Sequence, residues 1–470
     1  MSFIKHKNLL FFLLIYFIFH ILFINHYPVN FEYTFFNSLR YFDSFNEIYI
    51  KDFFRNQANT FGFSFFTGIF YYFFKNDNLI YFTRIISSFS YFLYFVGLIN
   101  IFKYYKIPFN PALVIVFFLN PFIWNFGFRG TPDLFSSALA FFSSSFIVQN
   151  YKIYKNTIFY LLLGIAITIK PHCGIFYIYI FLECSKKIDV INKENFYIFI
   201  LIFIIPIFYF GYVKYNFNFF LIPPGYYNEL KFNFYNFFYN FFSYVGYLNL
   251  AIFPFAMIFF EKINVLKKLI LSLFFFGIGF IFLKLNGELD MGPLSIYFKD
   301  NFFSGILFLL SMWILFNFYK IFFYNNKQSK NIIIFALLFV VVLSTSRPAQ
   351  RYLITIIPML YILFFLNIKK KSLSKYIFLS LLIYLPVNFI LTANFHLNSR
   401  LSDEVLKYLR VNNYIDITNP GAVSSHIGYL FNGKKKDFKF IIESVPSTKT
   451  IKVFQEKMFF IDKKLYLNYL

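Results

Sequence analysis

The sequence predicts an α-helical polytopic membrane protein of about 13 transmembrane helices, followed by a small α/β domain on the outer side. Three observations predict it. Of the 470 residues, 59% are hydrophobic and the mean hydropathy is +0.61, too apolar for a domain with a polar surface. Apolar runs approaching the roughly 20 residues that a span needs recur as far as position 395, separated by short Lys/Asn-rich loops. Once those runs are threaded, every arginine falls on the outer side, and the loops on the other side carry lysine only.

The elements follow in order. Lys5, His6 and Lys7 precede the first apolar run, Asn8 to Ile24. No small-residue cleavage site follows it, so it reads as an uncleaved first helix with the N-terminus cytoplasmic. Residues 26–78 then lie outside, and Phe61 to Phe74, too short to span, reads as an interfacial helix. Further spans are expected at roughly 79–102, 108–128, 132–150, 156–170, 171–185, 195–215, 246–260, 268–285, 302–323, 331–346, 351–368 and 374–395. The inner loops then hold Lys103 and Lys106, Lys152 and Lys155, Lys186, Lys187 and Lys193, Lys262, Lys267 and Lys268, Lys320, Lys327 and Lys330, and Lys369, Lys370, Lys371 and Lys375. Every inner segment has at least two lysines, the pattern that sets orientation. An odd span count puts the C-terminus outside. Residues 1–395 thus form the membrane domain and 396–470 an outer domain. In the latter, Leu401–Val411 reads as a short amphipathic helix, and Tyr414–Thr418, Phe438–Glu443 and Thr450–Phe454 read as strands, with turns at Asn419-Pro420-Gly421 and Asn432-Gly433.

The formal charge of +23 would suggest nucleic acid in a soluble protein. Here lysines in inner loops that meet anionic lipid account for it, and no nucleic-acid partner is expected. The 82 Phe and 39 Tyr reflect a compositional bias, so the residues that resist the bias (Arg, Asp, Glu, His, Gly, Pro) carry the information. Cys173 and Cys184 lie near opposite ends of one apolar run, too far apart on a helix for a disulfide.

The chain has only eight arginines, at 40, 55, 84, 129, 347, 351, 400 and 410. All thread to the outer side. The planar fork of arginine suits phosphate and carboxylate, so an outer face rich in Arg, Asp and Glu points to an anionic, phosphorylated ligand. The acids and bases fall in five groups. The first outer segment carries Glu32, Arg40, Asp43, Glu47, Asp52 and Arg55, with Asp43 and Glu47 on one helical face; a carboxylate there can act as general base toward an acceptor hydroxyl. Arg129-Gly130-Thr131-Pro132-Asp133 forms a tight outer turn, with Asp133 in the first turn of the next helix. Lys170-Pro171-His172 places a lysine between two apolar runs, where it must snorkel or meet an anion. Glu288 and Asp290, in Asn286-Gly287-Glu288-Leu289-Asp290, are a candidate pair for a divalent cation. Arg347 and Arg351 stand four apart, a spacing that suits a clamp on phosphate oxygens.

In the order and spacing of these motifs the chain resembles the GT-C superfamily of membrane glycosyltransferases, and within it bacterial proteins related to protein O-mannosyltransferases and lipid A aminoarabinose transferases. The resemblance covers most of residues 1–395. Asp43-Ser44 or Asn46-Glu47 stands where that family has an acidic motif, usually Asp-Glu, that supplies the catalytic aspartate; Asp43 is favoured, Glu47 second. Asp133 matches the second aspartate, Leu163 to Lys170 the glycine-containing helix that ends in lysine, and Arg347, Arg351-Tyr352 and Pro358 a late arginine pattern. Arg84-Ile85-Ile86-Ser87 also fits. The resemblance implies a polyprenyl-phosphate sugar donor, held by Lys170, Arg129, Arg347 and Arg351, and a glycan, lipid or protein acceptor at the outer face of the cell (inner) membrane. The rivals are an oligosaccharide polymerase or ligase, which would need a large outer loop between late helices, and a lipid or ion transporter, which would put charges in the middle of spans.

Overall fold

The computed structural model describes residues 7–22, 63, 79–127, 129–149, 153–184, 193–218, 234–256, 264–282, 300–324, 327–345, 350–368, 370–412, 417–418, 440–443, 446–458 and 461–469. The chain is mostly helical, with a small sheet at its C-terminal end. In chain order the helices are α1 (Lys7–Leu22), α2 (Leu79–Tyr104), α3 (Pro111–Phe118), α4 (Pro121–Gly127), α5 (Pro132–Gln149), α6 (Ile153–Ile169), α7 (Phe176–Cys184), α8 (Lys193–Phe217), α9 (Phe234–Ile252), α10 (Val265–Phe282), α11 (Asp300–Tyr324), α12 (Lys327–Ser344), α13 (Ile357–Asn367) and α14 (Lys370–Val411). Short 3-10 helices, Pro171–Ile175 and Gln350–Thr355, precede α7 and α13.

Among the described residues, four helical segments are long and apolar enough to cross a membrane: Thr83–Tyr104, Phe302–Phe323, Lys327–Ser344 and Ser372–Leu409. Several shorter apolar helices accompany them. On α10 the residues Val265, Leu266, Leu269, Ile270, Leu273 and Phe274 are exposed. A continuous apolar face of this kind is unfavourable in water and natural against hydrocarbon. The protein is therefore a membrane protein.

The structure departs from the expected spans in three places, each for a local reason. The run 108–128 is two helices. Pro121 cannot continue α3, and Asn120 caps α4 by accepting from the Phe122 N–H at 3.0 Å. The freed Leu119 carbonyl accepts from Asn388 Nδ2 at 2.8 Å, while Asn120 Nδ2 donates to the Tyr361 hydroxyl at 3.0 Å and to the Ala251 carbonyl. Tyr361 and Tyr384 hydroxyls meet at 2.8 Å. The break is thus a polar knot that ties α4, α9, α13 and α14 together. Second, the helix expected at 246–260 runs instead from Phe234 to Ile252, ahead of a cis Phe253-Pro254 bond. Its early turns look polar, but Asn240 is buried and donates to the Ser344 carbonyl at 3.2 Å. Third, 374–395 and Leu401–Val411 are one helix of 42 residues, α14. At 1.5 Å per residue it is about 63 Å long, twice a hydrocarbon core, so it carries the chain unbroken into the C-terminal sheet.

That sheet has the order β1-β2-β4-β3, from β1 (Ile417–Thr418), β2 (Phe440–Glu443), β3 (Thr450–Met458) and β4 (Ile461–Tyr469). β1 pairs parallel with β2; β2–β4 and β3–β4 are antiparallel. β1 to β3 overlap the three expected strands, and β4 had no counterpart among them. The end of α14 buries Leu401, Val405 and Leu409, spaced every four residues, on the face toward the sheet. Tyr408 packs edge-on to Phe454 at 5.4 Å, Arg400 Nη1 lies 3.7 Å from Glu456 Oε2, and Lys463 Nζ donates to Asn398 Oδ1 at 2.7 Å.

The two ends of the helical bundle differ in chemistry. At one end the Glu183 carboxylate, buried at the close of α7, accepts from the Tyr104 hydroxyl at 2.9 Å and from Asn331 Nδ2 at 3.0 Å. Nearby, Asn367 Nδ2 donates to Ser329 Oγ at 3.2 Å. These are the ends that carry Lys103, Lys106, Lys327 and Lys330. Arg84 lies at the opposite end of α2, and Asp133, Lys170 and Arg351 lie at the first turn of α5, just beyond α6 and on the second 3-10 helix. Helices approach closely at Gly246, where a Cβ would sit 2.5 Å from the Leu307 carbonyl oxygen. Because the obstacle is backbone, Gly246→Ala must push α9 and α11 apart. It is expected to cost about 1–3 kcal/mol, read as a lower Tm of the detergent-purified protein.

Candidate functional site

The site is built on three chain breaks at one end of the bundle. The first is the turn from α4 to α5. The Ser88 hydroxyl donates to the Gly127 carbonyl at 3.2 Å and the Ser87 hydroxyl to the Thr131 carbonyl at 3.1 Å, so α2 holds both sides of the turn. A Cβ on Gly130 would lie 2.4 Å from Thr83 Oγ1; only glycine allows so close an approach. Pro132 then starts α5 and puts Asp133 in its first turn, where the helix dipole favours a carboxylate.

The second break is Lys170-Pro171. Proline disfavours helical geometry in the residue before it. Lys170 is extended, at φ −140° and ψ 107°, and α6 ends there. The third break is the 3-10 helix Gln350–Thr355, which carries Arg351 and Tyr352. It is fastened to α5 by the Thr355 and Ser137 hydroxyls, 2.8 Å apart.

The three breaks bring Asp133, Lys170 and Arg351 together. Lys170 Nζ is 3.4 Å and Arg351 Nε 3.9 Å from Asp133 Oδ1. Asp133 is 4% exposed and Lys170 5%, whereas the Arg351 side chain keeps 30% of its surface open. Tyr352 lines the cluster: Lys170 Nζ and Arg351 Cζ lie 5.5 and 5.4 Å from its ring centre, and the His172 ring lies 4.9 Å from it. Phe339 contacts His172 on another side at 6.0 Å. Two cations thus face one carboxylate at distances longer than the roughly 2.7–2.9 Å of a tight charge-assisted hydrogen bond. Among the described residues, Asp133, Lys170 and Arg351 sum to one positive charge in excess, and Arg351 is the most open of the three. Chemically it is suited to take an oxyanion beside Asp133.

The other expected residues fall into two groups. Arg129 Nη2 donates to Asn125 Oδ1 at 3.1 Å, and its guanidinium lies 5.5 Å from the Phe126 ring centre. Its positive charge reaches Lys463 of β4 and helps to push that amine down. Asp43, Glu47, Arg347, Glu288 and Asp290 lie outside the described residues. Of the first long segment Phe63 is described: it is buried against Phe135, two residues beyond Asp133. Among the described residues no three His, Cys, Asp or Glu side chains gather as a metal site. Arg84 is 1% exposed, with its guanidinium 5.5 Å from the Phe395 ring centre. Sequence reasoning missed Glu183 and Lys463. The first was visible as an acid at an end otherwise marked by lysine, the second as the inward side of a period-two strand.

No family model, no curated protein and no solved structure matches this chain.

Two outcomes are expected. Lys170→Met leaves Asp133 buried with its nearer cation gone, at a cost of about 3–5 kcal/mol. Adding Asp133→Leu should restore most of that stability, and a thermal double-mutant cycle checks it. Lys463, beyond the apolar segments, has its amine pushed down from 10.5 to about 8, by burial first and then by the Arg129 guanidinium. The unfolded chain holds this proton up to about pH 10.5 and the folded chain only up to about 8. Stability is therefore gained as pH rises between those values, and the penalty is complete below them. The Tm of the parent protein should rise over that window relative to that of Lys463→Met.

Proposed function

We propose that this protein is a multi-pass glycosyltransferase of the GT-C type, with about 13 spans, that moves a sugar from a polyprenyl-phosphate carrier to an acceptor on the outer face of the cell membrane. The N-terminus is then cytoplasmic and the C-terminal sheet outside, the orientation that lysine-bearing inner loops favour. The observation that carries the reading is the meeting of Asp133, Lys170 and Arg351, residues from three distant parts of the chain, in one buried cluster with a cationic excess.

In the reaction, the acceptor hydroxyl oxygen bonds to the anomeric carbon while the bond from that carbon to the phosphate oxygen breaks. The hydroxyl proton passes to a carboxylate, and the charge left on the phosphate is met by cations. Lys170 and Arg351 are assigned to the phosphate. Asp133 is already engaged by both cations and is therefore a poor base; it is assigned to positioning them. The base is then Asp43 or Glu47, as the resemblance implies. A transporter needs charge along the middle of its spans. Asp133, Lys170, Glu183 and Arg351 instead stand at helix ends, which favours the enzyme.

The test uses detergent-purified protein and a panel of radiolabelled polyprenyl-phosphate sugars. With the sugar that the parent protein consumes, Arg351→Gln and Asp133→Asn are each expected to lower kcat by about 100-fold or more. Unchanged turnover in both would remove the assignment.

A further inference from the structure

Lys170 and Arg351 share an aromatic ring as well as a carboxylate. Lys170 Nζ lies 5.5 Å and Arg351 Cζ 5.4 Å from the centre of the Tyr352 ring, within the roughly 6 Å at which a cation is drawn to an aromatic face. The same two groups stand 3.4 and 3.9 Å from Asp133 Oδ1, an oxygen that is buried and accepts no hydrogen bond. A buried carboxylate with two cations in reach draws them in to about 2.7–2.9 Å unless something else holds them. The ring competes with the carboxylate for both. Its own place is fixed from two sides of the cluster. Tyr352 is carried by the 3-10 helix that Thr355 fastens to Ser137 of α5 at 2.8 Å. His172, two residues beyond Lys170, packs on the half-buried Tyr352 ring at 4.9 Å with 48° between the planes. Phe339 of α12 meets the imidazole edge-on at 6.0 Å and braces it in turn.

We propose that Tyr352 is a positioning residue for the oxyanion site: its ring holds Lys170 and Arg351 off Asp133, so that both cations keep donors for the oxygens of a phosphate group. The ring does this and the hydroxyl does not. The inference rests on the reading of the Asp133 cluster as a phosphate site, and it is independent of which group is transferred. The phosphate belongs either to a lipid or to a free ligand.

The full-length protein in neutral detergent is titrated with inorganic pyrophosphate in one arm and with a short-chain polyprenyl phosphate in the other. The arm that binds identifies the source. Tyr352→Phe keeps the ring and should keep that binding within about threefold. Trifluorinated phenylalanine at the same position keeps the shape but drains the ring face of negative charge, and should weaken binding about tenfold relative to Tyr352→Phe. A ring that only fills space would not tell the two apart. In an Asp133→Asn background the competing charge is gone, and the same fluorination should cost less than about threefold. Tenfold weaker binding in Tyr352→Phe, equal binding by the two rings, or an undiminished loss in the Asp133→Asn background would overturn the assignment, as would no binding of either probe. Binding that falls in Arg351→Gln but not on fluorination overturns this inference and leaves the proposed function standing. Binding that falls on fluorination, in a protein that consumes no polyprenyl-phosphate sugar, supports the inference and removes the sugar transfer.

Discussion

The constraint on which the arrangement rests is the burial of Asp133. A carboxylate at 4% exposure is tolerable only if cations meet it. Those cations arrive because the break at Pro171 delivers Lys170, and the 3-10 helix fastened through Thr355 to Ser137 delivers Arg351, to the same helix end. The ion pairs are loose, at 3.4 and 3.9 Å. They hold the charge without saturating it. A buried cluster of this kind is costly as a device for stability, since desolvation of the charges offsets much of their attraction.

The breaks also set where the cluster lies. From Pro171 to Cys184 the chain has one 3-10 helix of five residues and one α-helix of nine. The cluster stands at the ends of α5 and α6 and is enclosed by protein: the Tyr352 ring lines it, and Phe339 packs on His172. Where the backbone is irregular its polar groups are met by side chains, as the Leu119 carbonyl is met by Asn388.

Glycine and small side chains do the complementary work of bringing backbones close. Gly130 lets the turn before α5 sit against Thr83, and Gly246 lets α9 sit against the backbone of α11. Ser143 and Ser144 of α5 turn their hydroxyls to their own helix, each donating at 2.7 Å to the carbonyl four residues back. They present little bulk to neighbouring helices.

Composition and hydropathy alone determined that this is a helical membrane protein, because apolar runs of span length have few other stable homes. The placement of some charges was legible too, since charge placement is a local property of each loop: Arg84 and Lys103 lie at opposite ends of α2. So was the short list containing Asp133, Lys170 and Arg351, because charges beside apolar runs stand out. The sequence could not reveal that Lys170 and Arg351 share one oxygen of Asp133, nor that Lys463 from the last strand reaches Asn398. Those contacts join residues tens to hundreds of positions apart, and side-chain period within an element says nothing of such distances. The helix Phe234–Ile252 and the unbroken α14 were obscured for the opposite reason: their polar residues look like loop or surface until tertiary packing supplies partners such as the Ser344 carbonyl for Asn240. Local pattern decided which segments are helices and which charges matter. Only three-dimensional packing decided which of those charges meet, because burial energy depends on neighbours that the chain brings from elsewhere.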